Sequence, residues 1–180
     1  EELNIHCPED AIAHGISYVT EDRKNEGLIL RLPIRTNMML VDYKQLLDMG
    51  FLINEKKVER ICGGMMKRLQ LNTKDLNLPA GSLSGGNQQK VSLGKWLVAN
   101  SKVVLFDEPT RGVDIGAKVE IYNIINELVK EGVGVIMISS EMPEVLGMAD
   151  RIIVMCEGKV TGELDAKTAT QEQIMALATR

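Results

Sequence analysis

Between residues 103 and 138 the chain carries two short apolar runs with a helical stripe between them. Val103 to Phe106 is four apolar residues in a row, closed by Asp107, and Val133 to Ile138 is the second run, interrupted only by Gly134. Between them Ile121, Ile124, Ile125, Leu128 and Val129 fall at i, i+3, i+4, i+7 and i+8, one face of a helix that Gly132 ends. Continuous apolar runs of this length read as strands buried on both faces. A strand, helix, strand order calls for a parallel pair. This unit restricts the chain to an α/β fold with a largely parallel sheet.

The flanking sequence continues the pattern. Pro8 to His14, with Gly15 at its end, reads as a short helix, Ile16 to Val19 as a strand and Thr20 to Gly27 as a charged loop. Residues 28 to 53, punctuated by Pro33 and Gly50, give no clear period. Asn54 to Leu71 spaces Val58, Ile61, Met65, Met66 and Leu69 as a helix. Gly63 and Gly64 interrupt it, each costing ~1 kcal/mol against Ala in a helix interior, and a close helix contact and a kink are both open for the pair. Asn72 to Ser82 is a connector. From about Gly86 to Ala99 a helix with Val91, Leu93, Trp96, Leu97 and Val98 reads as well buried, with Trp96 a packing residue. Met38, Met39, Met65 and Met66 read as core rather than as an adaptable binding surface. Pro143 to Ala149 is a short helix, and Arg151 to Cys156 and Lys159 to Leu164 form a hairpin about Glu157-Gly158. Thr170 and Gln173 make a capping box for a last helix that ends near Ala178.

Composition narrows the function classes. A chain of 180 residues, 44% hydrophobic, suits one domain or one and a half with a real core. Its net charge of −4 argues against a nucleic-acid binder, and the cluster of Arg60, Lys67 and Arg68 reads as a solvated helix face. Cys7, Cys62 and Cys156 lie far apart with no C-x-x-C, which suits neither a disulfide framework nor a zinc site and fits a reducing compartment. His6 and His14 have no partner at metal-ligand spacing. No apolar run approaches the ~18 residues of a membrane span. The start at Glu1-Glu2, with neither a signal peptide nor an initiator Met, leads us to expect a piece of a longer chain.

Two motifs carry chemistry. A buried strand ending in Asp107 and Glu108 places two carboxylates at the C-terminal edge of the sheet, where open α/β folds bind ligands. There Asp107 suits a Mg²⁺ ion, and Glu108 suits a group that orients or deprotonates water. Alone, the pattern also describes an acidic strand end. Ser84-Gly85-Gly86 precedes a buried helix. Ser84 can cap it and bond a phosphate oxygen, and the two glycines let backbone approach a ligand. The free N–H groups and dipole of a helix start favour an anion. Alone, this too describes an ordinary capped turn.

Together, and in this order and spacing, LSGGNQQ from Leu83 and FDEPTRGVD from Phe106 resemble the ATP-binding-cassette (ABC) ATPase family. The first resembles that family's signature motif and the second its Walker B strand, with Asp114 at the D-loop aspartate. TEDRKNEG from Thr20, SGGNQQKVSLGKWL from Ser84, DEPTRGVDIGAKVEIY from Asp107 and ISSEMPEVLGMADRIIVM from Ile138 resemble the ATP-binding subunits of bacterial importers for ribose, galactose and methyl-galactoside. The likeness extends over nearly the whole chain and is closest to the second of the two cassettes that such subunits carry. It implies a P-loop NTPase-like α/β fold, a mostly parallel sheet flanked by helices with a helical signature subdomain, whose N-terminal part is missing. Residues 1–27 would be a core segment with a strand and a Gln-loop-like region, 28–100 the helical subdomain, and 101–180 core with Walker B, D-loop and switch region.

The sequence also departs from a working cassette. It contains no P-loop, G-x-x-x-x-G-K-[ST], since Gly63-Gly64 and Gly85-Gly86 do not fit the spacing. Glu21 stands where most cassettes have the Gln of the Gln-loop, and Ser140 stands at the switch His. In the family two cassettes sandwich ATP head to tail. The resemblance therefore implies that Ser84, Gly85, Gly86 and Gln88 complete a site whose P-loop belongs to the first cassette of a parent chain or to a second copy. Asp107 and Glu108 would serve the other, weaker site. It further implies ATP and Mg²⁺ as cofactors, a transmembrane sugar permease and a sugar-binding protein as partners, no nucleic acid, and a peripheral cytoplasmic place on the inner membrane. This chain alone is expected to hydrolyse little or no ATP. Its sheet, lacking the P-loop strand beside Val133 to Ile138, is expected to have a gap or an exposed edge, and the chain to self-associate or adjust its strands. Two other readings stand beside the importer. One is a non-transport ABC ATPase module, which would show basic surfaces or long heptads; the other is a degenerate structural or regulatory cassette.

Overall fold

The computed structural model describes residues 3–48, 52–73 and 75–179. Glu1, Glu2, Gly50 and Lys74, which enter the sequence reading, lie outside the described residues. The chain divides into two compact units, Glu1–Ile136 and Met137–Arg180. Among the described residues no helix is long and apolar enough to cross a membrane.

In the first unit α1 (Pro8–Ala13) leads through left-handed Gly15, φ +79°, into β1 (Ile16–Val19). Then come α2 (Ile34–Met39) and a short antiparallel ribbon of β2 (Leu47–Asp48) and β3 (Leu52–Ile53). α3 (Glu55–Arg68), α4 (Gly85–Val98), β4 (Val103–Asp107) and α5 (Ile115–Lys130) follow, and the unit boundary falls within β5 (Gly134–Ile138). The sheet has the order β1-β4-β5. β1 runs parallel to β4 in a register from Ile16 opposite Val103 to Val19 opposite Phe106. That register lines up the C-terminal ends of the two strands and hence the loops that follow them.

Helices α2, α3 and α4 meet over a core that includes Ile34, Met38, Cys62 and Leu69, each 0% exposed. Met38 and Met39 are buried as core residues. Gly94 permits the approach of α4, because a Cβ there would lie 2.8 Å from Leu69 Cδ1 and 3.2 Å from Met65 Cγ. Buried Asn37 is satisfied by donating to the carbonyls of Ile29, Leu32 and Pro33 and accepting from Ile29 N–H. α3 continues without a break through Gly63 and Gly64. A Cβ at either would meet nothing within 4 Å, so no close contact explains the pair. Arg60 and Lys67 are exposed, and Arg68 pairs with Glu131 at 2.6 Å, as a solvated face requires.

The structure revises four expectations. Thr20 to Gly27 is not a plain loop, since Arg23–Gly27 forms a π-helical turn. Asp22 accepts through its side chain from Lys24 and Asn25 N–H, and through its carbonyl from Gly27 N–H at 3.1 Å. β5 is not covered on both faces. It is the outermost of the three strands, and Ile136 and Ile138 remain 53% and 49% exposed. β4 is central, yet only Val104 and Phe106 are fully buried, while Val103 and Leu105 are half-buried. On α5, Val129 lies at the edge of the apolar stripe and is exposed, whereas Ile121, Ile124, Ile125 and Leu128 are buried.

The second unit holds α6 (Met142–Met148), β6 (Arg151–Cys156), β7 (Lys159–Asp165) and α7 (Gln171–Ala178). Glu157 and Gly158 both take positive φ, +49° and +77°, the pattern of a two-residue type I′ turn that matches strand twist. The capping box forms as read, Gln173 N–H to Thr170 Oγ1 and Thr170 N–H to Gln173 Oε1. Ile152, Val154 and Ile174 make the core of this unit.

Candidate functional site

Two helix starts face one cavity. Ser84, in extended conformation, caps α4 by accepting from Asn87 N–H at 3.4 Å, and its Oγ also accepts from Asn87 Nδ2 at 3.0 Å. Asp114, also extended, caps α5 by accepting from Ala117 N–H at 2.9 Å. The two helices touch at these first turns, since a Cβ on Gly86 would lie 2.5 Å from Ala117 Cβ. Ser84, Gly86, Asn87, Lys90, Asp114 and Glu120 are among the residues that line an open cavity of ≈ 580 Å³. Lys90 is 3% exposed, donates to Gln70 carbonyl at 3.0 Å and pairs with Glu120 at 2.6 Å. First-turn N–H groups lack intrahelical acceptors, so two helix starts on one cavity offer donors and positive dipole ends to an anion. Gln88 does not reach outward. It is buried and donates to Leu83 carbonyl at 3.0 Å, bracing the turn from inside.

The strand-end carboxylates stand at the C-terminus of β4. Asp107 accepts the Tyr18 hydroxyl at 2.6 Å through Oδ2. That bond, reinforced by desolvation, holds the Tyr18 hydroxyl above its ordinary pKa, because a neighbouring carboxylate favours the protonated phenol. Glu108 adopts φ +46°, a left-handed backbone that a non-glycine residue rarely takes and that is associated with functional turns. No group of three or more His, Cys, Asp or Glu side chains gathers among the described residues. One carboxylate at a strand end nevertheless suits Mg²⁺, which is commonly held by one or two carboxylates, waters and substrate phosphates rather than by an all-protein cage.

The turn after β1 reaches the turn after β4. Glu21 and Arg111 form an ion pair. Buried Arg23 donates through Nη1 to Arg111 carbonyl at 2.8 Å and through Nη2 to Gly112 carbonyl at 3.2 Å. Burial lowers the Arg23 pKa, and guanidinium is the cation best able to keep its charge under that pressure. Lys95 of α4 fastens the far end of the turn, donating to Gly27 carbonyl at 2.7 Å. Ser140 lies after β5 in the second unit and is exposed.

Of the residues singled out in the sequence, Ser84, Gly86 and Asp114 come together on the cavity, with Gly85 behind them against Arg23. Tyr18, Arg23 and Arg111 escaped sequence reasoning. Arginines in a charged stretch read as solvated, and Tyr18 finds its partner only through the β1–β4 register.

The sequence profile of one family, described as ABC transporter, matches residues 6–111, more than half of the chain. The Ribose import ATP-binding protein RbsA of Lacticaseibacillus paracasei is 53% identical over 177 residues, 98% of this chain and 35% of that protein. A putative ribose/galactose/methyl galactoside import ATP-binding protein of Albidiferax ferrireducens is 47% identical over 180 residues, 100% of this chain and 36% of that protein. The chain therefore spans about a third of the length of these curated relatives. Among solved structures, the dimeric post-hydrolysis state of an ATP-binding cassette bound to ADP and Pi superimposes with a TM-score of 0.73 at 20% identity, covering 91% of this chain and 68% of that one.

Proposed function

The chain belongs to the ABC transporter family, and on that premise we propose that it is an ATP-binding module of a sugar importer that lends its signature turn to a partner cassette. The observation that carries this reading is the open cavity where Ser84-capped α4 and Asp114-capped α5 meet. Such a surface has donors for an anion. A nucleotide seated on the P-loop of another cassette would supply that anion.

In this reading Ser84 and the N–H groups of Gly85 and Gly86 meet the terminal phosphates, and Gln88 stiffens the turn. Asp114 positions the α5 start. At the other, weaker site Asp107 would hold Mg²⁺, whose charge offsets that of the phosphates, and Glu108 would orient or deprotonate water. Residues 28–100 form the helical signature subdomain, and residues 1–27 and 101–180 belong to the core. The partners are a P-loop-bearing cassette, a sugar permease in the membrane and, through it, a sugar-binding protein, with the chain peripheral on the cytoplasmic face. A second reading, of a largely structural cassette, draws on Glu21, which occupies the Gln-loop position and is tied to Arg111, and on Ser140 at the switch position, which cannot carry an imidazole's charge.

The test is ATP turnover of this chain alone and mixed with a P-loop-bearing cassette of a ribose-import relative, each with and without Ser84→Arg. The expected result is no turnover alone, increased turnover in the mixture, and loss of that increase with Ser84→Arg. Turnover by this chain alone would sink the proposal. No increase in the mixture would favour the structural reading.

A further inference from the structure

Arg23 is 9% exposed, and its guanidinium is accepted by two carbonyls, those of Arg111 and Gly112, rather than by a carboxylate. Its Nε has no hydrogen-bond partner. A Cβ on Gly85 would lie 2.9 Å from Arg23 Nη2 and 3.2 Å from Gly112 carbonyl oxygen. The guanidinium is thus wedged between the first residue of α4 and the turn that leads to Asp114. Two residues before it, Glu21 holds the Arg111 side chain from outside. One short segment therefore grips residues 111–112 twice, once by the side chain and once by the backbone. Its own base is fixed by the Asp22 cap and by the Lys95 bond to Gly27 carbonyl.

A buried cation without a carboxylate costs stability, and an apolar residue of similar volume would fill the space more cheaply. What an apolar residue could not do is fix two carbonyls at one distance and one angle. A planar fork does that, and a lysine ammonium does not. We propose that Arg23 is a positioning residue that locks the Ser84–Gly86 turn and the 111–114 turn into one block, presenting Ser84 and the Asp114-capped helix start as a single preorganised surface. The backbone clamp stands on the geometry alone; its effect on turnover rests on the function proposed above.

Arg23→Met removes the fork and keeps the stem. Followed by amide hydrogen exchange on this chain, the amides of residues 84–87 and 111–117 should exchange about tenfold faster, with those of β6 and β7 within about twofold of wild type. In the mixed-cassette assay, kcat should fall by about fivefold or more while KM for ATP stays within about twofold, because the partner's P-loop sets nucleotide affinity and only the closed geometry is lost. Arg23→Lys should recover less than half of the lost kcat. Unchanged exchange at residues 84–87 and 111–117 in Arg23→Met overturns the proposal. Should that variant fail to fold, Gly85→Ala, whose Cβ displaces Nη2, is read at the 111–117 amides by the same criterion. Should the wild-type mixture show no stimulation, the functional reading fails, and the exchange data still decide the clamp.

Discussion

Cys62 shows how burial alone writes chemistry into a residue. The side chain is 0% exposed in the core between α2, α3 and α4, with Sγ 3.8 Å from Arg35 carbonyl. Burial pushes its thiol from an ordinary 9.0 up to about 11. The folded chain therefore holds this proton more tightly than the unfolded chain. The stability tied to it is complete below about pH 9 and is lost as pH rises towards about 11, roughly 2–3 kcal/mol across the window. Cys62→Ala cannot ionise. Its urea midpoint should fall less than that of wild type between pH 9 and pH 11, and equal slopes would refute the assignment. At pH 8, exposed Cys7 should alkylate readily while Cys62 reacts only as fast as the core opens.

Helical glycines in this chain separate into two kinds. Gly63 and Gly64 lie inside α3 with open space where a Cβ would stand, so Ala at either should raise stability by about 0.5–1 kcal/mol through helix propensity. Gly86 lies at the start of α4 with Ala117 Cβ 2.5 Å from its virtual Cβ, and that neighbour has no flexible end to yield. Gly86→Ala should cost about 1–3 kcal/mol by overpacking, whether or not a ligand is present. Urea unfolding of the three variants decides the matter. Destabilisation by Gly63→Ala would show that α3 needs its glycines for something the fold does not display.

At the scale of the whole molecule the exposed sheet matters most. β5 is the outer strand, with Ile136 and Ile138 half in solvent, and Tyr18 on β1 is 45% exposed. An outer strand with exposed apolar side chains is a template for pairing with another chain. Light scattering should show concentration-dependent association of this chain, weakened by Ile138→Lys. A monomer at every concentration would mean that the strand is protected.

The sequence by itself determined the α/β class, the Ser84 cap, the Thr170–Gln173 box, the family and the helices and strands outside residues 28–53, where α2, β2 and β3 went unread. The elements and caps are local: a four-residue apolar run, a helical stripe, a Ser before a helix start and a Thr170–Gln173 box each depend on neighbours within a turn or two. Their physics is complete before the chain folds. The β1–β4 register, which gives Asp107 its Tyr18 partner, was decided only in three dimensions. So was the burial of Arg23 in a stretch whose composition reads as solvent-facing. The exposure of β5 was likewise tertiary, because an apolar run states what a strand can bury and not what stands beside it. The first two depend on residues about 80 to 90 positions apart brought together by packing, a distance over which local pattern carries no information.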